Sequence, residues 1–346
     1  MTSKLKIIFV CLLVVLFMVG CTGSDSSDSD DEIRLILASY TTPREAYGEI
    51  IPRFQAYWKE ETGQQVVFEE SYLGSGAQSR AVVEGFEADI VALSLEADVT
   101  RIQKAGLITH DWKAGDYKGI VTTSIVAFAV RQGNPKNIQD WRDLAKPDIE
   151  ILTPNPNMSG GAMWNVLGMY GAALRGQVDE VPANDHESAA EFLSQVLANV
   201  SVMDKSARES ILSFEKGIGD LAITYENEVL VGRNSGQDYE LVIPSSTILI
   251  ENPIAIVDVN VEKHGTRDVA QAFVQFLYTK EAQDIFAQHG LRVVNPESRS
   301  AFSALYPQVD DQFTIEYFGG WDTVMVDYFS QEGIYNTVIL QVHGGE

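Results

Sequence analysis

The groups best placed for chemistry in this sequence of 346 residues are hydroxyls and glycines at chain turns. Ser159-Gly160-Gly161 follows the turn Asn155-Pro156-Asn157-Met158 and precedes an apolar, helix-compatible run over residues 162–174. Ser159 sits where a helix N-cap is expected, and the two glycines leave the first-turn N–H groups uncovered. A helix start carries unpaired N–H donors and a partial positive charge, so a side-chain-free start is an anion seat. Taken alone, the stretch also reads as an ordinary N-cap followed by two permissive glycines. Gly74-Ser75-Gly76 repeats the pattern before a second helical run, Ala207 opens a third, and Tyr225 falls just beyond a strand.

Competing chemistries find less support. The glycines flank Ser75 directly, whereas a nucleophile elbow has them two positions away. The five histidines (His110, His186, His264, His289 and His343) show no pairing with it, so a Ser75-dependent hydrolase is the weaker alternative. No His-x-x-x-His, Cys-x-x-Cys or calcium-loop pattern occurs, and Gly74-Ser75-Gly76-Ala77-Gln78-Ser79 lacks the Lys of a P-loop. No metal and no cofactor is expected. Hydroxyls and backbone N–H groups can only donate to a fully ionised oxyanion. Such bonds contribute about 1.5–3 kcal/mol each, so roughly five to seven can offset burial of a dianion without Lys or Arg. That is binding chemistry rather than turnover chemistry.

Composition sets the frame. A formal charge of -24 argues against nucleic-acid binding, which needs a positive field. It also means that an anion site here must work through local dipoles. The length allows two domains with substantial cores. Residues 1–20 read as a signal peptide: Lys4 and Lys6 precede an apolar run too short to span a membrane comfortably. Gly20-Cys21 then looks like a lipobox, with Cys21 the lipidated first residue of the mature chain. A plain secretory signal is the alternative. Residues 22–32 carry no large apolar side chain and read as a disordered acidic tether holding the body outside the membrane.

The elements that must position these groups alternate. Strands are expected at residues 33–39, 65–69 and 88–93, with helices from Pro43, over 77–86 and over 96–105. Pro52 should kink or interrupt the first helix. A second series follows: strands at 122–131, 149–152 and 219–224, with helices after Ser159, over 189–199 and from Ala207. A strand over 249–259, interrupted by Pro253, and helices over 267–277 and 280–289 complete the pattern. The alternation implies an α/β protein of doubly wound, mostly parallel sheets. Ser75, Ser159 and Ala207 then lie where ligands of such sheets bind, outside the strand carboxyl ends.

The chain resembles the sulfate- and thiosulfate-binding proteins of bacterial ABC importers. The resemblance runs from about Ile33 to Trp321 and is carried by ordered matches. They include Pro43-Arg44-Glu45, Gly74-Ser75-Gly76, Glu87-Ala88-Asp89-Ile90-Val91, Ser159-Gly160-Gly161-Ala162 with Trp164-Asn165, Ser206-Ala207-Arg208, Glu226-Asn227-Glu228 and Phe318-Gly319-Gly320-Trp321. It implies a two-lobed periplasmic-binding-protein fold of the type II, Venus-flytrap kind, with lobes formed by residues 33–124 plus 248–346 and by residues 125–247. It further implies a non-enzymatic, monomeric receptor that passes sulfate or thiosulfate to an ABC permease. Ser75 and Ser159 would donate through hydroxyls, and Gly160, Gly161, Ala207 and the turn at Thr41 through backbone N–H groups. Thr41 replaces a usual Asp, with little consequence for a backbone contact. Tyr225 replaces a Trp whose indole N–H donates to the anion. Indole only donates, whereas a phenol donates or accepts. Phosphate, molybdate or tungstate therefore stands as the alternative ligand class.

Overall fold

The computed structural model describes residues 32–344. The signal segment, Cys21 and the tether through residue 31 lie outside the described residues. Glu32, expected in the tether, is the first residue of a strand.

The chain opens with β1 (Glu32–Tyr40), α1 (Arg44–Thr62), β2 (Gln65–Leu73), α2 (Ser75–Val83), β3 (Ile90–Ala92) and α3 (Glu96–Lys104). A long strand, β4 (Ile120–Val130), leads to β5 (Ile151–Pro154), α4 (Gly160–Leu174), α5 (His186–Ala198), β6 (Val200–Asp204) and α6 (Ala207–Glu215). Then come β7 (Leu221–Tyr225), α7 (Glu226–Asn234), β8 (Glu240–Val242) and a second long strand, β9 (Ser246–Ile256). The remainder comprises α8 (Asp258–His264), α9 (Arg267–Phe276), α10 (Lys280–Gln288), β10 (Arg292–Val293), α11 (Pro296–Ala301), β11 (Asp311–Phe313), α12 (Trp321–Asp327) and α13 (Ile334–His343).

The strands run in the order β2-β1-β3-β9-β4-β7-β5-β6. β1 is parallel to β2 and β3, and β5 is parallel to β6 and β7, as βαβ units require. β4 and β9 depart from the parallel expectation. They run antiparallel to each other, and β9 also lies antiparallel to β3 and β4 to β7. Both change partners partway along. Residues Ile120 to Ile125 of β4 pair with β9, and Val126 to Val130 pair with β7. Two α/β groups are thus joined through a pair of shared strands. This is the two-lobed periplasmic-binding-protein fold.

Two expected interruptions do not occur. α1 runs unbroken for 19 residues with Pro52 inside it. An internal Pro costs about 3 kcal/mol. Opposing it, Tyr47, Ile50, Phe54 and Trp58 are buried, and Phe54 packs edge-on against Phe273 with ring centroids 5.0 Å apart. Each such burial contributes about 1.5–3 kcal/mol, so packing wins. Pro253 likewise leaves β9 continuous. It sits where β9 leaves β4 for β3, and its carbonyl accepts from Leu93 N at 2.9 Å, so its missing N–H is not needed. The irregularity falls on β4, between Ile120 and Thr122.

α4 begins at Gly160, directly after the Ser159 cap as expected, and is buried everywhere except at Met163. Its one polar core side chain, Asn165, donates to Thr153 Oγ1 at 3.0 Å and to Ile223 O at 2.8 Å, tying the helix to β5 and β7. With α4 fixed between the strands, its first turn is fixed at the sheet's carboxyl edge.

Candidate functional site

Every sequence-predicted donor sits at one junction between the α/β groups. Gly74 is the N-cap of α2 and Ser75 its first residue; Ser159 is the N-cap of α4, with Gly160 and Gly161 opening it; Ala207 opens α6. Tyr225 ends β7 and caps α7. Thr41 lies in the turn between β1 and α1.

Cross-contacts bring these starts together. Ala77 N donates to Met158 O at 3.1 Å, which joins the start of α2 to the turn before α4. A Cβ on Gly74 would stand 2.6 Å from both Met158 O and Lys205 O, so glycine here lets α2 approach the turns leading into α4 and α6. Arg208, beside Ala207, donates to Thr42 O at 3.4 Å and to Glu45 Oε2 at 2.9 Å, drawing the Thr41 turn to α6. The Tyr225 and Tyr40 ring centroids are 6.2 Å apart. A Cβ on Gly161 would meet Tyr225 Cε2 at 2.8 Å and both Tyr225 OH and Ser159 Oγ at 3.3 Å. The glycine pair therefore leaves room for two hydroxyls at the head of α4.

Polar groups here fall into two kinds. Some are satisfied. Ser75 Oγ donates to Asp98 Oδ2 at 2.6 Å and accepts from Ser94 N at 3.0 Å. Ser206 Oγ accepts from Glu209 N at 3.2 Å. Others are buried and make no well-aligned hydrogen bond, namely Tyr40 OH, Thr42 Oγ1, Ser94 Oγ, Thr224 Oγ1, Tyr225 OH and Asn227 Nδ2, though Tyr40 lies beside Thr122, Thr42 beside Glu228 and Tyr225 beside Ser94. Ser159 makes no side-chain cap hydrogen bond, so its hydroxyl is not committed to its own helix. Buried polar groups are normally paired, and a concentration of unpaired ones marks a place that receives something polar.

Electrostatics agree with neutral donors. Burial pushes the Tyr225 phenol well above its ordinary value, partly offset by the nearby Ser94 hydroxyl, so it keeps its proton. Burial, with the neighbouring Tyr225, raises Tyr40 likewise. The cations nearby are engaged. Burial would lower the Arg208 pKa, but Glu228 and Glu45 raise it; its Nε lies 2.9 Å from Glu228 Oε2, an ion pair without hydrogen-bond alignment. Arg80 Nη2 donates to Asn157 O at 2.8 Å.

None of the four histidines whose side chains are described is paired with Ser75. Ser75 faces a carboxylate, while His110, His186, His264 and His289 bond Asp258, Tyr170, Asp89 and Glu49 respectively. Two surface cavities, of about 310 and 240 Å³, lie elsewhere, around Phe318 and Tyr328 and around Asp140 and Gly176. Sequence reasoning missed Ser94 and Asp98, and it named Tyr40 and Glu228 only within a turn and a motif, without a role for their side chains. Ser94 carried a signal, since it directly follows a strand's carboxyl end.

Two α/β groups joined by shared strands, with uncharged donors gathered between them, define a solute-binding protein. The chain belongs to the bacterial extracellular solute-binding protein family, whose model matches residues 35–292. It is 43% identical over 323 residues to the sulfate-binding protein of Synechocystis sp., covering 92% of this chain and 90% of that one. It is 35% identical over 305 residues to the thiosulfate-binding protein of Escherichia coli K12, covering 86% and 89%. Among solved structures, the sulfate-binding protein SubI from Mycobacterium tuberculosis H37Rv superposes with a TM-score of 0.79 at 37% identity, covering 86% of this chain and 100% of that one.

Proposed function

We propose that the protein is a non-enzymatic, extracytoplasmic receptor that captures sulfate, or thiosulfate, and delivers it to an ABC permease. The observation that carries this reading is the meeting of the α2, α4 and α6 starts around buried, unpartnered hydroxyls, with the adjacent Arg side chains bonded elsewhere. Sulfate carries no proton at neutral pH and asks only for donors. The donor set is Ser159 Oγ, Tyr225 OH and the backbone N–H groups of Gly160, Gly161, Ala207 and the Thr41 turn, while the Ser75 hydroxyl, expected as a donor, gives its proton to Asp98. The relatives named for sulfate and thiosulfate support the same ligand class.

The lobes are residues 33–124 with 248–346, and residues 125–247, except that the carboxyl-terminal segment from Asp311 returns to the second lobe: Asp311 accepts from Arg175 Nε at 2.9 Å, Tyr328 packs edge-on against Tyr170, and α13 packs on α5. The change of partner on β4 between Ile125 and Val126 supports that boundary. Closure is a hinge motion about β4 and β9, favoured by the contacts the anion makes with both lobes at once. The receptor works as a monomer, anchored through lipid on Cys21, its carboxyl-terminal body free of any helix long and apolar enough to cross a membrane among the described residues.

Calorimetry of the purified protein tests this. One-site binding of sulfate is expected, and absence of heat with sulfate, thiosulfate, phosphate, molybdate and tungstate alike would sink it. A second reading, a receptor for a protonated oxyanion such as hydrogen phosphate, is favoured by one observation: the unpartnered Tyr225 hydroxyl can accept as well as donate. Competition between sulfate and phosphate across pH separates the two.

A further inference from the structure

Ser94 stands out among the buried groups near the candidate site. Its backbone is held on both sides: N donates to Ser75 Oγ at 3.0 Å, and O accepts from Trp164 Nε1 at 2.8 Å and Asn252 Nδ2 at 3.2 Å. Its side chain, by contrast, is buried at 1% exposure, and its hydroxyl makes no well-aligned hydrogen bond, with the Tyr225 phenol as its polar neighbour. That hydroxyl is aimed at the head of α4. Any Cβ on Gly160 would overlap Ser94 Oγ, and the Tyr225 phenol is close enough to feel it. Burying an unpaired hydroxyl costs free energy, and none of the three backbone anchors needs it.

Ser75 is in the reverse condition. A hydroxyl has one proton, and that of Ser75 goes to Asp98 Oδ2 while its lone pair takes Ser94 N. Asp98 is held in turn by Arg101 Nη1 at 2.5 Å. The chain Arg101–Asp98–Ser75 therefore ends by fixing the backbone of Ser94.

Building on the anion-receptor reading above, we infer that Ser94 is itself a ligand-binding residue, its hydroxyl donating to the oxyanion beside those of Ser159 and Tyr225, with Ser75 as the positioning residue behind it. The site then presents two facing hydroxyls, from Ser94 and Tyr225, each able to donate or accept. Both donate to sulfate, and one can turn to accept from a protonated anion.

The test is sulfate calorimetry on wild type and Ser94→Ala, with thermal melts of each protein free and with sulfate. Loss of a hydrogen bond to a charged oxygen should weaken sulfate binding roughly 10- to 100-fold. Because the hydroxyl makes no well-aligned hydrogen bond within the protein, the ligand-free melting temperature should hold or rise, while the sulfate-induced shift shrinks. Sulfate binding by Ser94→Ala within about twofold of wild type would overturn the inference. So would a drop of several degrees in its ligand-free melting temperature that accounts for the affinity lost. If the wild type binds no sulfate, the receptor reading itself fails, which is a different result from a silent Ser94→Ala.

Discussion

Gly74→Ala should weaken sulfate binding without weakening the ligand-free fold. At Gly74 the backbone has φ −57° and ψ 138°, which alanine adopts freely, so no local strain follows. The obstacle lies across the junction. The new Cβ would stand 2.6 Å from Met158 O and 2.6 Å from Lys205 O, with Met158 C at 3.2 Å. A carbon–oxygen contact relaxes at about 3.3 Å or more, so each carbonyl must withdraw by about 0.7 Å. These are backbone atoms of the turns that feed α4 and α6, and neither can rotate aside as a side chain would. Keeping the junction closed against that overlap resembles overpacking a core, at about 1–3 kcal/mol. If closure is required for binding, the whole cost falls on the bound state, and Kd rises roughly 5- to 150-fold. The ligand-free protein escapes by opening at the hinge, so its melting temperature should change by no more than about 2 °C. Calorimetry with sulfate, paired with melts of the ligand-free variant, reads both quantities. Wild-type affinity in Gly74→Ala would refute the reasoning. A large ligand-free destabilisation would refute it too, by showing that the contact belongs to one rigid body.

Three further substitutions probe the same site and the frame around it. Ser159→Ala should weaken sulfate roughly 10- to 100-fold yet lower stability by less than about 0.5 kcal/mol in urea unfolding, because this N-cap makes no capping hydrogen bond with its side chain. Tyr225→Phe should weaken sulfate by a similar factor and leave stability level or slightly higher, since the phenol is buried unpaired. Burial raises the phenol's pKa, so Tyr225 stays protonated and wild-type sulfate affinity should be flat from about pH 6 to 9; a fall across that window would contradict its role as a neutral donor. Asp258→Asn should cost about 1–3 kcal/mol at pH 7, by removing a carboxylate that accepts from Thr109 N at 2.6 Å, His110 Nδ1 at 2.7 Å and Arg267 Nη2 at 2.8 Å. Burial alone would raise the Asp258 pKa, but these bonds hold it well below the usual carboxylate range. Its folded value lies below the unfolded one of about 3.9, so the contribution is present above that pH and is lost as pH falls through the folded value. The gap between wild type and Asp258→Asn should therefore close in strong acid, and a gap independent of pH would reject this assignment.

Much of the fold and the candidate site was legible in the sequence because the relevant signals are local. Ser159-Gly160-Gly161 announces a bare helix start through three adjacent residues, and the structure puts the α4 cap there. Gly74-Ser75 and Ser206-Ala207 work the same way. What escaped depends on neighbours distant along the chain. Pro52 reads as a break until Phe273 is found packed against Phe54. The 9-residue α7 begins at Glu226, immediately beyond the strand end where Tyr225 was expected, and its Glu228 matters only because Arg208 is buried beside it. The resemblance already divides the lobes within β4, and what only the pairing shows is that β4 and β9 run antiparallel, each with partners in both α/β groups.

The division between the two serines follows from the same distinction. Sequence pattern favours Ser75, because flanking glycines and a following helix mark it as exposed to a ligand. Packing changes that assignment: Asp98, 23 residues further on, takes the Ser75 proton. Ser94, set between two leucines, has no motif at all, yet it is the buried hydroxyl left unpaired at the head of α4. Net charge fits this arrangement. With a formal charge of -24, a site relying on mobile Lys or Arg would compete with many carboxylates for its own cations, as the bonding of Arg208 to Glu45 and Glu228 illustrates. Hydroxyls and helix-start N–H groups meet no such competition, since their partners are set by backbone geometry. A receptor this acidic can therefore hold a dianion only where its cations are already neutralised and its dipoles are not.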